Sequence, residues 1–174
     1  MVDYFEVLRM RLRPYISEKD YEYISKWADN EWVHALWCAN LIPYPLTEAG
    51  LREFLKKDAQ EWGGCAHTIT DDAGTPTGFF VYAVNDVNNF GFLKFLILDS
   101  QLRGKGLGTQ MVSLILKYAF EITGVSEVRL NVFDVNRSAR KCYSKVGFVE
   151  QDIAENVFAF EDEQWGRCYM VAKQ

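Results

Sequence analysis

The stretch "LRGKGLGTQ", Leu102 to Gln110, constrains this chain more than any other. It places Gly104, Gly106 and Gly108 at alternate positions between an apolar run, "FGFLKFLILDS", and an amphipathic run, "TQMVSLILKYAFEITG". The first predicts a central strand buried on both faces. The second predicts a helix ending at Gly124. Glycine costs conformational entropy, so three at a strand-to-helix junction imply a very tight turn or something approaching the backbone. Successive N–H groups at a helix start form an anion site. Arg103 and Lys105 add positive charge and Thr109 a hydroxyl. A Walker loop is excluded, because GxxxxGK followed by Ser or Thr is absent. A dinucleotide fingerprint fits poorly: Thr109 stands where its third glycine belongs, and the motif lies mid-chain.

The flanking pattern predicts one α/β (α+β) domain over 1–174. "FEVLRMRLR" alternates, with Leu8, Met10 and Leu12 on one face and Arg9, Arg11 and Arg13 on the other. "SEKDYEYISKWAD" opens with a capping box, Ser17 to Asp20. A second helix follows around Glu31 to Ala39, and Thr47 caps a third through about Trp62. "CAHTITD", "TGFFVYAVND" and the apolar run form a meander. After the glycine helix, "VSEVRLNVF" is a strand and "NRSARKCYSKVG" a helix capped by Asn136 and stopped by Gly147. "FVEQDIAENVFAF" and "RCYMVAK" close the chain as a hairpin. The expected architecture is a single mixed, mostly antiparallel sheet of six to seven strands flanked by helices.

Composition narrows the class. A net charge of −5 disfavours broad nucleic-acid binding, and no apolar run approaches the length of a membrane span. The opening "MVDYFEVLRMRLR" is not expected to be a secretion signal. Cys38, Cys65, Cys142 and Cys168 have neither disulfide nor zinc spacing, so they are expected to be reduced thiols, buried or half-buried, in a cytoplasmic protein without a metal.

A second motif lies in "LNVFDVNRSARKCYSKVGF". Asn136 and Tyr143, seven apart, share a helix face with the small Ala139 between them. Taken alone, this is either an N-cap with a core aromatic or a face against which a ligand lies. Together the two motifs resemble the GCN5-related N-acetyltransferase superfamily. Gln101-Leu102-Arg103-Gly104-Lys105-Gly106 is similar to that family's pyrophosphate loop, Gln/Arg-x-x-Gly-x-Gly/Ala, with Ser100 in place of the usual preceding proline. Asn136, Ala139, Tyr143, Gly147 and Phe148 are similar to its Asn-x-x-Ala-x-x-x-Tyr-x-x-x-Gly-Phe segment. The aromatic N-terminal part and the closing "EDEQWGRCYMVAK" look similar to the branch acetylating ribosomal-protein N-termini and polyamines.

The resemblance implies an acetyl-coenzyme A-dependent N-acetyltransferase working by direct attack of an amine in a ternary complex. A protein N-terminus and a small amine both remain open as acceptors. A non-catalytic acyl-coenzyme A-binding domain is the rival class, and a homodimer through the last strands is compatible. By similarity, the pantetheine arm would pair with the backbone of Leu96 and Leu98, and Leu98 N–H would stabilise the oxyanion. The pyrophosphate would sit on the N–H groups of Arg103, Gly104, Lys105, Gly106, Leu107, Gly108 and Thr109. Asn136 would hydrogen-bond the pantetheine region, and Tyr143 would aim its hydroxyl at the thioester sulfur.

No general base stands out. Lys94 and Asp99 lie on or beside the apolar strand, and Asp86, Asp134 and Glu155 lie elsewhere. His34 and His67 read as structural. Cys142 is expected to face away from Tyr143's side of the helix. Trp27, Trp32 and Trp37 read as core and cover, with one available to wall an acceptor pocket. The acidic block Glu150, Asp152, Glu155, Glu161, Asp162 and Glu163 is either a solvated edge or an attractor for a cationic acceptor.

Overall fold

The computed structural model describes residues 9–174. Seven strands form one sheet: β1 (Arg11–Pro14), β2 (Cys65–Thr70), β3 (Pro76–Asn85), β4 (Phe90–Leu98), β5 (Glu127–Phe133), β6 (Val149–Phe160) and β7 (Glu163–Lys173). Their order is β1-β2-β3-β4-β5-β7-β6, and only the β4–β5 pair is parallel. Helices α1 (Ser17–Trp27), α2 (Glu31–Cys38) and α3 (Glu48–Trp62) precede the meander; α4 (Leu107–Lys117) crosses from β4 to β5, and α5 (Arg137–Lys145) links β5 to β6. The sequence-based architecture holds, and Leu8 of the expected first strand lies outside the described residues. Met10 and Leu12 pack together on one core, as the alternation predicts.

Two apolar layers sandwich the sheet. Met111, Ile115, Val128, Leu130 and Met170 belong to the core beneath α4 and α5. Ile24, Trp27, Leu51, Phe79, Val81 and Ile97 belong to the core beneath α1–α3. β3 is the strand buried along most of its length. β4, expected to be fully buried, is half-buried over Lys94–Leu96. The reason is topological: those residues border an opening in the sheet.

Local chemistry departs from expectation at α1. Its N-cap is Ile16, not Ser17, and no side chain caps it. Ser17 Oγ instead donates to Glu48, and Asp20 Oδ2 accepts from Ile16 N–H at 2.8 Å. Thr47 and Asn136 do cap α3 and α5, accepting from Gly50 and Ala139 N–H. Past Lys117, α4 loosens into π-type turns over Tyr118–Thr123 and stops at Gly124, where φ is 71°. Cys38 and Cys168 are buried and Cys142 half-buried, but Cys65 is exposed. No helix among the described residues is long and apolar enough to cross a membrane.

Candidate active site

The opening is built by one irregularity. β4 and β5 pair in parallel from Phe90–Glu127 to Leu93–Leu130, and their pairing ends there. On the other side of β4, Val81 faces Lys94 whereas Phe79 faces Ile97. Phe95 and Leu96 therefore stand opposite the single residue Phe80, which is a β-bulge. Phe95 takes a φ of 49°, rare for a bulky residue. Its carbonyl accepts a hydrogen bond from Trp37 Nε1 at 2.8 Å, and its ring meets Phe54 edge-on at 4.9 Å. The bulge bends β4 away, and the final residues of β5 pair only with β7.

Backbone polarity at the opening follows from the ladder. Asp99 N–H donates to Thr77 C=O at 2.8 Å, so the facing pair Gly78–Leu98 is of the non-bonded kind. The N–H and C=O of Leu98 thus point away from β3, into the gap. The carbonyl accepts from the Arg103 guanidinium at 2.9 and 3.1 Å, and Arg103 also donates to Trp27 C=O at 3.1 Å. The N–H is left facing the gap. Arg103 was expected to lend its charge to the glycine turn. Its guanidinium serves these two carbonyls instead, which leaves Lys105 as the turn's other exposed cation.

Gly104 and Gly106 have φ of 75° and 78°, which the turn itself requires. Gly108 is different. It lies inside the first turn of α4, and a Cβ there would meet Cys142 Sγ at 3.5 Å and Leu98 Cδ2 at 4.0 Å, both ordinary contacts. The chain's own packing does not require glycine at this position. Gly106 is the N-cap and offers no side chain, so the N–H groups of Leu107, Gly108 and Thr109 have no capping partner.

Two cavities adjoin here. The first, 430 Å³, is lined by Leu96, Leu98, Arg103, Gly104, Gly106, Gly108 and Thr109 on one side and by α5 on the other. The second, 350 Å³, lies farther down the gap against Phe92, Lys94, Phe95, Asn131, Phe133 and Arg167. Leu36, Trp37, Leu96, Asn136 and Tyr143 border both. Asn136 Oδ1 is committed to Ala139 N–H at 3.2 Å, leaving its amide donor. Tyr143 is buried, its ring edge-on to Phe148 at 5.7 Å, and its hydroxyl has no hydrogen-bond partner among the described residues. Burial, reinforced by Cys142, pushes its pKa well above the usual phenol range. It is an O–H donor throughout the neutral range.

Other expected residues fall elsewhere. Cys142, expected on another side of the helix from Tyr143, also borders the first cavity but not the second. Burial raises its pKa, which keeps it a thiol. Lys94 is ion-paired with buried Asp58. Asp99 accepts from Gln101 N–H, and Asp134 from Gly166 N–H. Asp86 and Glu155 are exposed. His34 is buried with Nε2 on Ile42 C=O, and His67 stacks on Phe80. The acidic block decorates the β6–β7 hairpin: Glu150 pairs with Arg140, Glu163 accepts from Trp165 Nε1, and none of the block lines a cavity. Among the described residues, no Asp, Glu or His lines either cavity. Trp27 is core, Trp32 packs on Phe160 and Trp165, and Trp37 walls both cavities.

Sequence reasoning missed Asn131 and Arg167. Arg167 carried a signal, a cation between Gly166 and Cys168 in an otherwise largely apolar last strand.

The sequence matches the acetyltransferase (GNAT) family over residues 16–148. Among solved structures, spermidine N-acetyltransferase from Vibrio cholerae in complex with CoA and spermine superposes with a TM-score of 0.79 at 20% identity, covering 95% of each chain. A chimera of that enzyme and hSSAT gives 0.76 at 19% identity over 94% of this chain and 95% of that one. A protein provisionally named phosphinothricin N-acetyltransferase gives 0.75 at 16% identity over 95% and 98%.

Proposed function

This chain belongs to the acetyltransferase (GNAT) family, and we propose that it transfers an acetyl group from acetyl-CoA directly to a primary amine held beside it. The observation that carries the reading is the place of Tyr143, whose free hydroxyl stands where the two cavities meet. The residues present fit acetyl-CoA. Gly108 leaves room that the chain's own packing does not fill, and uncapped N–H groups face that room.

When bound, acetyl-CoA supplies the thioester carbonyl that the amine attacks. The N–H groups from Arg103 to Thr109 hold the pyrophosphate at the start of α4. Leu96 and Leu98 offer the free edge of β4 to the pantetheine arm. Leu98 N–H is placed to stabilise negative charge as it develops on the acetyl oxygen. Asn136 holds the arm through its remaining amide donor. Tyr143 donates its O–H to the departing sulfur, which its raised pKa permits. The thiol of Cys142 has its pKa raised as well, which disfavours a covalent relay and favours direct transfer.

Among the described residues the cavities present no carboxylate or imidazole base, so the acceptor's ammonium proton leaves through water. An α-amine, with a pKa of about 7.7–8.0, gives it up far more easily than a lysine-type amine near about 10.4. That difference favours an α-amine or another weakly basic acceptor. The test is thiol release from acetyl-CoA across free amines, amino acids, polyamines and short peptides. Acceptor-dependent release that collapses in Tyr143→Phe supports the reading. Tight CoA binding with no release from any amine would favour the non-catalytic alternative.

A further inference from the structure

The second cavity is lined mostly by apolar groups, among them Leu36, Phe92, Phe95 and Phe133. Among the described residues its polar lining is Lys94, Asn131, Arg167, and the shared Asn136 and Tyr143, with no carboxylate. Of its two cations, Lys94 is neutralised within the fold by Asp58. Arg167 has no hydrogen bond or ion pair among the described residues, whereas Arg13, Arg129 and Arg140 are each paired with an acid.

Strand register fixes where Arg167 stands. On β7 it lies opposite Phe133 of β5, and Tyr169 lies opposite Asn131. Directly facing residues share a sheet face, so Arg167, Phe133 and Asn131 look into the same space. Gly166 anchors this end of β7: its N–H donates to Asp134 Oδ1 at 2.8 Å, and its carbonyl accepts from Asp134 N–H at 2.9 Å. Asp152, opposite Tyr169 on β6, shares the face but makes no ion pair with Arg167.

A cavity with an apolar wall, one unpaired guanidinium and no acid matches a molecule bearing an anion, not a second cation. The planar fork of arginine suits a carboxylate in particular. Resting on the acetyl-transfer reading, we propose that the acceptor is an α-amino acid with an apolar side chain, its carboxylate held by Arg167 and its amine turned toward Tyr143. A polyamine would have to place a further ammonium group where nothing in the lining neutralises it.

The test uses the full chain and acceptors matched except for the carboxylate: L-phenylalanine against phenethylamine, and L-leucine against isoamylamine, with spermidine as the polycation. Thiol release gives kcat/KM for each. Binding of L-phenylalanine to the CoA-saturated protein is followed by NMR line broadening, which needs no turnover. We expect each amino acid to exceed its amine partner by about 10-fold or more, as a hydrogen-bonded charge pair allows. Arg167→Gln should shrink that ratio by a similar factor, and Arg167→Lys should restore part of it. Amines or spermidine equalling the amino acids overturn the inference while acetyl transfer stands. Amino acids silent in both readouts overturn it too. No CoA binding and no release from any acceptor would overturn the acetyl-transfer reading itself.

Discussion

Arg103 and Leu98 are joined by two hydrogen bonds, from Nε at 3.1 Å and a terminal nitrogen at 2.9 Å to one carbonyl oxygen. The same terminal nitrogen reaches Trp27 C=O. One side chain thereby ties the end of β4, the end of α1 and the start of the glycine turn. Arg103→Ala should raise the KM for acetyl-CoA about 10-fold and cost about 1.5–3 kcal/mol of stability, the range for hydrogen bonds involving a charged group. Steady-state kinetics and calorimetric unfolding check both. An unchanged KM would mean that the turn holds its shape without this tie.

Tyr143→Phe should lower kcat by about 10²–10⁴-fold, the usual worth of a positioned proton donor. Because burial keeps the hydroxyl protonated, the ratio of wild-type to variant kcat should stay flat up to about pH 9, below the ordinary tyrosine pKa of about 10. A ratio that falls between pH 7 and 9 would show a phenol losing its proton there.

Gly108→Ala separates packing from ligand approach. Nothing in the chain forbids the methyl group, and alanine is the better helix former, so stability should hold or rise slightly. Affinity for CoA should fall at least about 10-fold if the pyrophosphate lies against this residue. Thermal unfolding alone and with CoA, beside isothermal titration, measures the two effects separately.

Asp20 is fully buried on α1 and receives Arg13 through two nitrogens, Ile16 N–H and the Thr68 hydroxyl. Burial alone would raise its pKa, but these donors outweigh it and hold the carboxyl below its ordinary range. The sign follows. Its contribution to stability is fully present above the unfolded-state pKa of about 3.9 and disappears as pH falls through the lower folded value. Asp20→Asn should cost about 3–5 kcal/mol near neutral pH by stranding Arg13. Denaturant titrations at pH 7 and below pH 4 should show that penalty shrinking with acid.

Much of this site was legible because it rests on local rules. The positive φ of Gly104 and Gly106, the Asn136 cap and the seven-residue spacing to Tyr143 all act within one turn or one helix. What stayed hidden depends on distant partners. The bulge sits at a phenylalanine, a residue type that gives no warning of positive φ, and its carbonyl partner is Trp37, 58 residues away. The role of Arg103 could not be read from neighbouring glycines, because its acceptors are carbonyls of two other segments. Arg167 reaches the second cavity only because β7 enters the sheet beside β5, so its relevance is a matter of topology.

The bulge at Phe95 has a further consequence. Exposed strand edges ordinarily occur at the rim of a sheet, where charge or brevity keeps other strands from adding to them. Here a free edge lies inside the sheet, along Leu96–Leu98, apolar and with the Arg103 guanidinium on its last carbonyl. Trp37 and the start of α5 line the space beside it, so whatever adds to this edge must lie within that cavity. A gap between two strands of one sheet suits a single slender, flexible arm better than the two-strand breadth of a β-hairpin. The fold therefore selects its ligand first by thickness, before any side chain tests its chemistry.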